Sequence, residues 1–331
     1  MPSRTHQHGH MTSRHRARRK RRIPRGPALL GLAAAVAATL AVGTGSVHLS
    51  TGAAGRSAIA PAPAPGSAPA SADRTTAGAG ASTAVPDQDA LAVQAVGKAL
   101  LSGGAAAEGA VSVAVLDLAS GATAVSGGSG HAFITASIVK ADILATLLRQ
   151  TGSDLTLQQQ TDAVAMIEQS DNDAASTLYD AIGGADGLDE ANQAFGLTGT
   201  TAGQDGYWGL TTTTPADQLR LLQVIFGQDS PLDTEAQTYL QQLMGQISAD
   251  QDWGVSAAAT ADGDWKLKNG WLARSTDELW TVNSIGRVTH DGRDVLVAVL
   301  SDGNSTQETG ISLVESVAVA AVDALATTVA G

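Results

Sequence analysis

Apolar and polar residues alternate near both ends of the chain's acidic part and recur every three to four residues between them. Val111-Ser112-Val113-Ala114-Val115-Leu116-Asp117-Leu118 alternates and stops at Ser120-Gly121, which predicts a strand and a turn, with 122–126 as the hairpin partner. Helical spacing over 89–101 puts Leu91, Ala95, Leu100 and Leu101 on one face. The stretch 137–150, rich in Ile, Val and Leu, predicts a buried helix. Further helices are predicted over 157–168, 174–182 and 185–195, the middle one stopped by Gly183-Gly184. Thr214 is placed to cap a helix over 215–226 with Asp217 three residues on, and 233–247 forms another. Strand-like patterns return at 265–268, 279–288 and 295–300, with Asp291-Gly292 as a hairpin turn, and a helix over 308–327 closes the chain. This order predicts an α+β fold. An antiparallel sheet lobe comes from both chain ends with flanking helices, and an all-helical lobe is inserted in the middle.

Before residue 87 the pattern is different. A basic run at 14–25 precedes the uncharged stretch 28–42, built from Ala, Leu, Val, Gly and Thr. Basic residues followed by a short apolar core and small residues are the grammar of a secretory signal, and with 43–49 added the stretch approaches a thin membrane span. Residues 1–50 are therefore read as a signal peptide or a retained signal-anchor that engages the membrane and export machinery. The remainder is expected outside the cytoplasm, secreted or anchored to the cell membrane. Residues 51–86 are mostly Ala, Pro, Ser, Gly and Thr around Ala60-Pro61-Ala62-Pro63-Ala64-Pro65, a composition that buries no core and reads as a disordered linker. The folded domain is expected over 87–331, as a monomer.

Charge sharpens this division. Residues 1–74 carry 11 of the 20 Lys and Arg but one of the 32 Asp and Glu, leaving 9 basic and 31 acidic residues for the rest. A domain so acidic repels phosphate backbones, which excludes nucleic acid as its partner. The absence of cysteine excludes disulfides, thiolate metal sites and a Cys nucleophile. No zinc spacing, Walker loop or dinucleotide motif is present, so neither a metal nor a cofactor is expected.

Three short motifs carry the candidate chemistry. In Ser137-Ile138-Val139-Lys140 the spacing i, i+3 puts a hydroxyl and an amine on one helix face. Ser137 sits near the helix start, where free N–H groups favour a developing anion, and a neutral Lys140 would accept its proton. Ser170-Asp171-Asn172 lies between two predicted helices. Lys268-Asn269-Gly270-Trp271 ends a strand, where Gly270 would let a ligand lie close along the backbone. Lys268 would bind a carboxylate or lower the pKa of Lys140. Each motif alone also fits a bland role: a helix cap, helix-boundary residues, an edge-strand lysine. Their order changes the odds. Residues 75–331 hold four lysines, Lys98, Lys140, Lys266 and Lys268, and two of them fall in motifs.

In these motifs, with Ile182-Gly183-Gly184 and Thr213-Thr214-Pro215, the chain resembles the penicillin-recognising serine enzymes of the class A β-lactamase family. The resemblance spans about residues 91–328. It implies a β-lactamase/transpeptidase-like fold and a site in which Ser137 is the acylated nucleophile and Lys140 its general base. Ser170 would relay the proton to the leaving nitrogen, Asn172 would hold the substrate's side-chain amide, and Lys268 its carboxylate. The backbone N–H groups of Ser137 and Trp271 would form an oxyanion hole. Three departures stand out. Asn269 replaces the family's Thr or Ser, removing a hydroxyl contact to the carboxylate. The stretch from Lys140 to Ser170 is shorter than usual. The loop before Thr213-Thr214-Pro215 lacks the glutamate and asparagine that activate the deacylating water in the family; its only acid is Asp205.

Two readings follow. One is an exported serine hydrolase acting through an acyl-enzyme on a β-lactam or a cell-wall peptide. The other is a penicillin-binding or cell-wall-sensing module of the same fold with little or no turnover. Among other residues, Trp208, Trp253 and Trp271 are placed to line a cleft, His131 is a loop residue without a triad partner, and His290 faces solvent in its hairpin. Arg274 and Arg287 are expected in rim salt bridges.

Overall fold

The computed structural model describes residues 93–98, 109–127 and 130–330. The signal-like segment, the linker and both ends of the 89–101 helix lie outside the described residues; 93–98 are helical. In chain order the strands are β1 (Val111–Asp117), β2 (Thr123–Gly127), β3 (Phe133–Ile134), β4 (Thr212–Thr213), β5 (Trp265–Ala273), β6 (Trp280–His290) and β7 (Arg293–Asn304). The labelled helices are α1 (Val139–Thr151), α2 (Leu157–Glu168), α3 (Asn172–Ala181), α4 (Gly184–Phe195), α5 (Pro215–Phe226), α6 (Thr234–Met244) and α7 (Gln307–Ala330).

Five strands form one antiparallel sheet in the order β2-β1-β7-β6-β5, so the first and last described strands pair, Val113 opposite Val299. Every residue from Val295 to Ser301 is buried, which requires cover on both faces of the sheet. Helices α5 and α7 supply it. Helix α7 is long and apolar enough to cross a bilayer, yet Val314, Val317, Ala318, Val322 and Leu325 are buried, which makes it the core helix of this lobe. Asp291 and Gly292 both adopt positive φ, 48° and 75°, as the predicted two-residue hairpin turn demands.

The inserted lobe is helical, as the spacing predicted. Its axis is α1, buried without interruption from Val139 to Leu148 because α2, α3, α4 and α6 pack around it. Thr214 caps α5 through the Asp217 N–H at 3.1 Å. Some boundaries moved. The strand predicted over 265–268 runs on to Ala273, because β6 pairs with it over its whole length, Asn269 opposite Ser284 and Gly270 opposite Asn283. The helix predicted from residue 137 starts as a 3₁₀ turn, Ala136–Ile138, and becomes α-helical at Val139. His290 is half-buried rather than solvent-facing, with Nδ1 2.8 Å from the Ala258 carbonyl.

Candidate active site

Ser137 owes its position to backbone held from three directions. The two-stranded sheet β3–β4 and the Thr135 N–H, which donates to the Thr211 carbonyl at 2.8 Å, fix the chain just before it. The Asn283 amide on β6 donates to the carbonyls of Ile134 and Thr135 at 2.9 and 3.0 Å, while its oxygen accepts from the Ser301 N–H. On the third side lies Gly270 of β5. A Cβ there would come within 2.7 Å of the Ser137 and Ile138 nitrogens and the Thr135 oxygen. The glycine thus makes room for the 3₁₀ turn itself, not for a ligand along the strand as the sequence suggested. Ala136, just before Ser137, has φ of 47°, a strained value for a residue with a side chain and one that this triple restraint enforces.

Lys140 lies in the first turn of α1 and is fully buried. Its Nζ donates to the Ser170 carbonyl at 2.7 Å, to Ser170 Oγ at 3.0 Å and to Asn172 Oδ1 at 2.8 Å. Ser170 itself is left-handed, φ 55°, at the turn between α2 and α3. Asp171 caps α3 through the Ala174 N–H at 2.8 Å, so the turn that bears Ser170 and Asn172 is locked to the helix start. From the sheet lobe, Lys268 Nζ reaches the same Ser170 Oγ at 3.2 Å and also donates to the Asn269 carbonyl. One hydroxyl therefore joins two buried amines.

Burial sets the electrostatics. It pulls Lys140 down to about 7, with the nearby Asp171 charge opposing the shift. Lys268 is pushed well below its ordinary range by burial and then by Lys140. Two adjacent ammonium groups out of water cannot both stay charged cheaply, so a neutral amine is available here near neutral pH. Among the described residues Ser137 Oγ has no hydrogen-bond partner and opens onto a cleft of about 400 Å3.

The cleft brings together Ser137, Asn172, Trp208 and Trp271, with Tyr207 and Leu210 on its rim. Lys140, Ser170 and Lys268 do not line it; they form the hydrogen-bonded cluster reached through Asn172. Asn269 is not there either. Side chains alternate along β5, so it points away from Lys268, and its amide donates to the carbonyls of Gln251 and Trp253 at 2.9 and 2.8 Å. Asp205, the one acid of the loop before Thr213, lies outside the cleft. It is an exposed, left-handed turn residue, φ 54°, and only its neighbours from Gly206 onward line the cleft. Position over Lys140 falls instead to Trp208, whose ring centroid lies 4.9 Å from Nζ and whose Nε1 donates to Ser176 Oγ at 3.1 Å. Arg274 and Arg287 are held by surface acids, Asp277 and Asp264 with Asp294, as expected. His131 pairs with Asp302, away from this cleft. Sequence reasoning missed Asn283. Its signal was an amide in the middle of an otherwise apolar strand run, which has to find partners once buried.

The sequence profile of the β-lactamase enzyme family matches residues 150–325, more than half of the 331-residue chain. The chain belongs to that family. Solved structures agree on the fold of this β-lactamase-family protein. A representative class A β-lactamase from Bacteroides cellulosilyticus superposes with a TM-score of 0.62 at 19% identity, covering 71% of this chain and 99% of the other. A point mutant of PBP-A, solved as its acyl-enzyme complex with penicillin G, gives 0.61 at 21% identity, covering 71% and 97%. The reconstructed class A β-lactamase of the last common ancestor of Gram-negative bacteria gives 0.58 at 21%, covering 69% and 99%. No curated protein sequence matches significantly. The chain's family and fold support a serine hydrolase or acyl-transfer function in general terms.

Proposed function

We propose that this protein is an exported serine enzyme whose Ser137 is acylated by a β-lactam or a related cell-wall amide or ester, and that its acyl-enzyme hydrolyses slowly. The observation that carries the reading is the pair of buried amines on one hydroxyl, Lys140 and Lys268 on Ser170 Oγ, with Asn172, which accepts from Lys140, lining the same cleft as the free hydroxyl of Ser137. Neutral Lys140 takes the Ser137 proton as Oγ bonds to the substrate carbonyl carbon. The proton passes through Ser170 to the leaving nitrogen as the C–N bond breaks, which leaves an ester on Ser137. Burial holds Lys140 near neutrality, and Lys268, itself depressed by burial and by Lys140, donates to the same Ser170 hydroxyl.

The acyl-enzyme with penicillin G formed by the PBP-A mutant supports β-lactams as acyl donors for this fold. Slow hydrolysis is argued from Trp208. The residue over Lys140 is an indole, which donates a hydrogen bond and accepts no proton, so it cannot activate a water. Export rests on the basic run and the apolar stretch that follows it.

Intact-mass measurement of the purified protein with benzylpenicillin tests this reading. A stoichiometric adduct that maps to Ser137 and outlasts the incubation is expected. No adduct together with no ester hydrolysis overturns the acyl-transfer reading, and rapid release of opened product overturns slow deacylation.

A further inference from the structure

The cleft beside Ser137 has two apolar walls. Residues with large exposed hydrophobic side chains are few among the described residues, and two of the five, Tyr207 at 56% and Leu210 at 46% exposure, stand on its rim. Trp208 completes that wall, its ring tied to α3 through Ser176. The facing wall is Trp271 on β5. Trp253 packs edge-on against it, ring centroids 5.8 Å apart at 60°, and the Trp253 carbonyl is held by the Asn269 amide. Asn269, the residue at which this chain departs from the resembled motif, thus braces an aromatic wall. Among the described residues no lysine or arginine lines the cleft.

Aromatic and apolar surface lining a cleft open to water is costly and is relieved by an apolar occupant. We propose, resting on the acyl-transfer reading above, that this slot selects acyl donors with an aromatic or branched apolar acyl group. Small or charged side chains would gain little there. The specificity-determining residues are Tyr207, Leu210 and Trp271, with Asn269 and Trp253 as positioning residues for Trp271.

The test compares rates of Ser137 labelling by benzylpenicillin and by 6-acetamidopenicillanic acid. The second compound keeps the bicyclic ring, carboxylate and side-chain amide but carries a methyl group where the first has a benzyl group. Benzylpenicillin is expected to label about tenfold faster or more, the scale at which an apolar pocket discriminates. Trp271→Ala should bring the ratio toward one, and Trp271→Phe should restore most of it. Tyr207→Ser, at an exposed position where folding is not at stake, should lower it too. Equal rates in the unmodified protein, or a ratio unmoved by both the Trp271→Ala and Tyr207→Ser variants, overturn this proposal and leave the acyl-transfer reading standing. No labelling by either compound overturns that reading, and this proposal with it.

Discussion

The backbone nitrogen of Ser137 lies 2.7 Å from the point where a Cβ on Gly270 would sit. Contact between β5 and the 3₁₀ turn is therefore backbone against backbone, and the atoms in the way cannot rotate aside. Gly270→Ala should push the turn off its seat. Because misplacement on the scale of 1 Å costs about a hundredfold in rate, labelling of Ser137 by benzylpenicillin should slow by roughly that factor. Stopped-flow or quenched mass measurements would show it, with circular dichroism confirming the fold.

Lys140 must be neutral to accept a proton, and burial holds it at about 7. Acylation should therefore rise with pH through a midpoint near 7 and level off above it. Below the midpoint the ammonium form dominates and the rate should fall about tenfold per pH unit. Lys140→Arg should abolish the rise, since a guanidinium does not deprotonate in this range. A rate independent of pH between 5 and 9 in the unmodified protein would remove Lys140 from the role of base.

Trp208 stands over Lys140 at 4.9 Å. Trp208→Glu would put a proton acceptor in that place. The adduct on Ser137 should then decay faster, by about tenfold or more, while the adduct mass stays the same. Decay measured by intact mass after removal of free penicillin checks this; an unchanged lifetime would separate slow deacylation from the identity of residue 208.

Asp142, two residues beyond Lys140 on α1, is fully buried, and neither carboxyl oxygen has a hydrogen-bond partner. Burial pushes it up to about 8; the Asn192 amide beside it offsets part of this without reaching hydrogen-bonding geometry, and the charges of Asp189 and Asp217 add to the rise. The folded state thus holds this proton more tightly than the unfolded chain, whose Asp titrates near 3.8. Its contribution to stability is complete below pH 3.8 and is lost as pH rises toward 8, at about 1.4 kcal/mol per unit at most. Asp142→Asn keeps the shape and carries no titrating proton. Its Tm should exceed that of the unmodified protein at pH 8 and approach it at pH 4, in thermal melts at both values.

Much of this protein was legible without coordinates. Alternation in 111–118 and 295–300, helical spacing between them and Asp291-Gly292 at the hairpin were enough for an antiparallel sheet with a helical insertion, because these signals are local. The position of Ser137 just before, and of Lys140 within, the first turn of one helix was local too, and so was the capped turn that carries Ser170 and Asn172. The length of β5 was not legible: Asn269-Gly270 looks like a strand end until β6 supplies partners on the other side.

Function at this site depends on contacts between residues distant in the chain, and sequence spacing says nothing about those. That Lys268 would be buried against Ser170, 98 residues earlier, follows from the packing of sheet against helices. The amines lose their charge because of that packing, since desolvation belongs to a place in the fold and not to a residue type. The same holds for Asn283 under the Ser137 turn and for Trp208 over Lys140. The chain by itself determined which chemical groups exist and which local elements bear them. Only the tertiary structure decided which of them share a low-dielectric space, because free energies of burial and charge proximity are set by neighbours brought together from all along the chain.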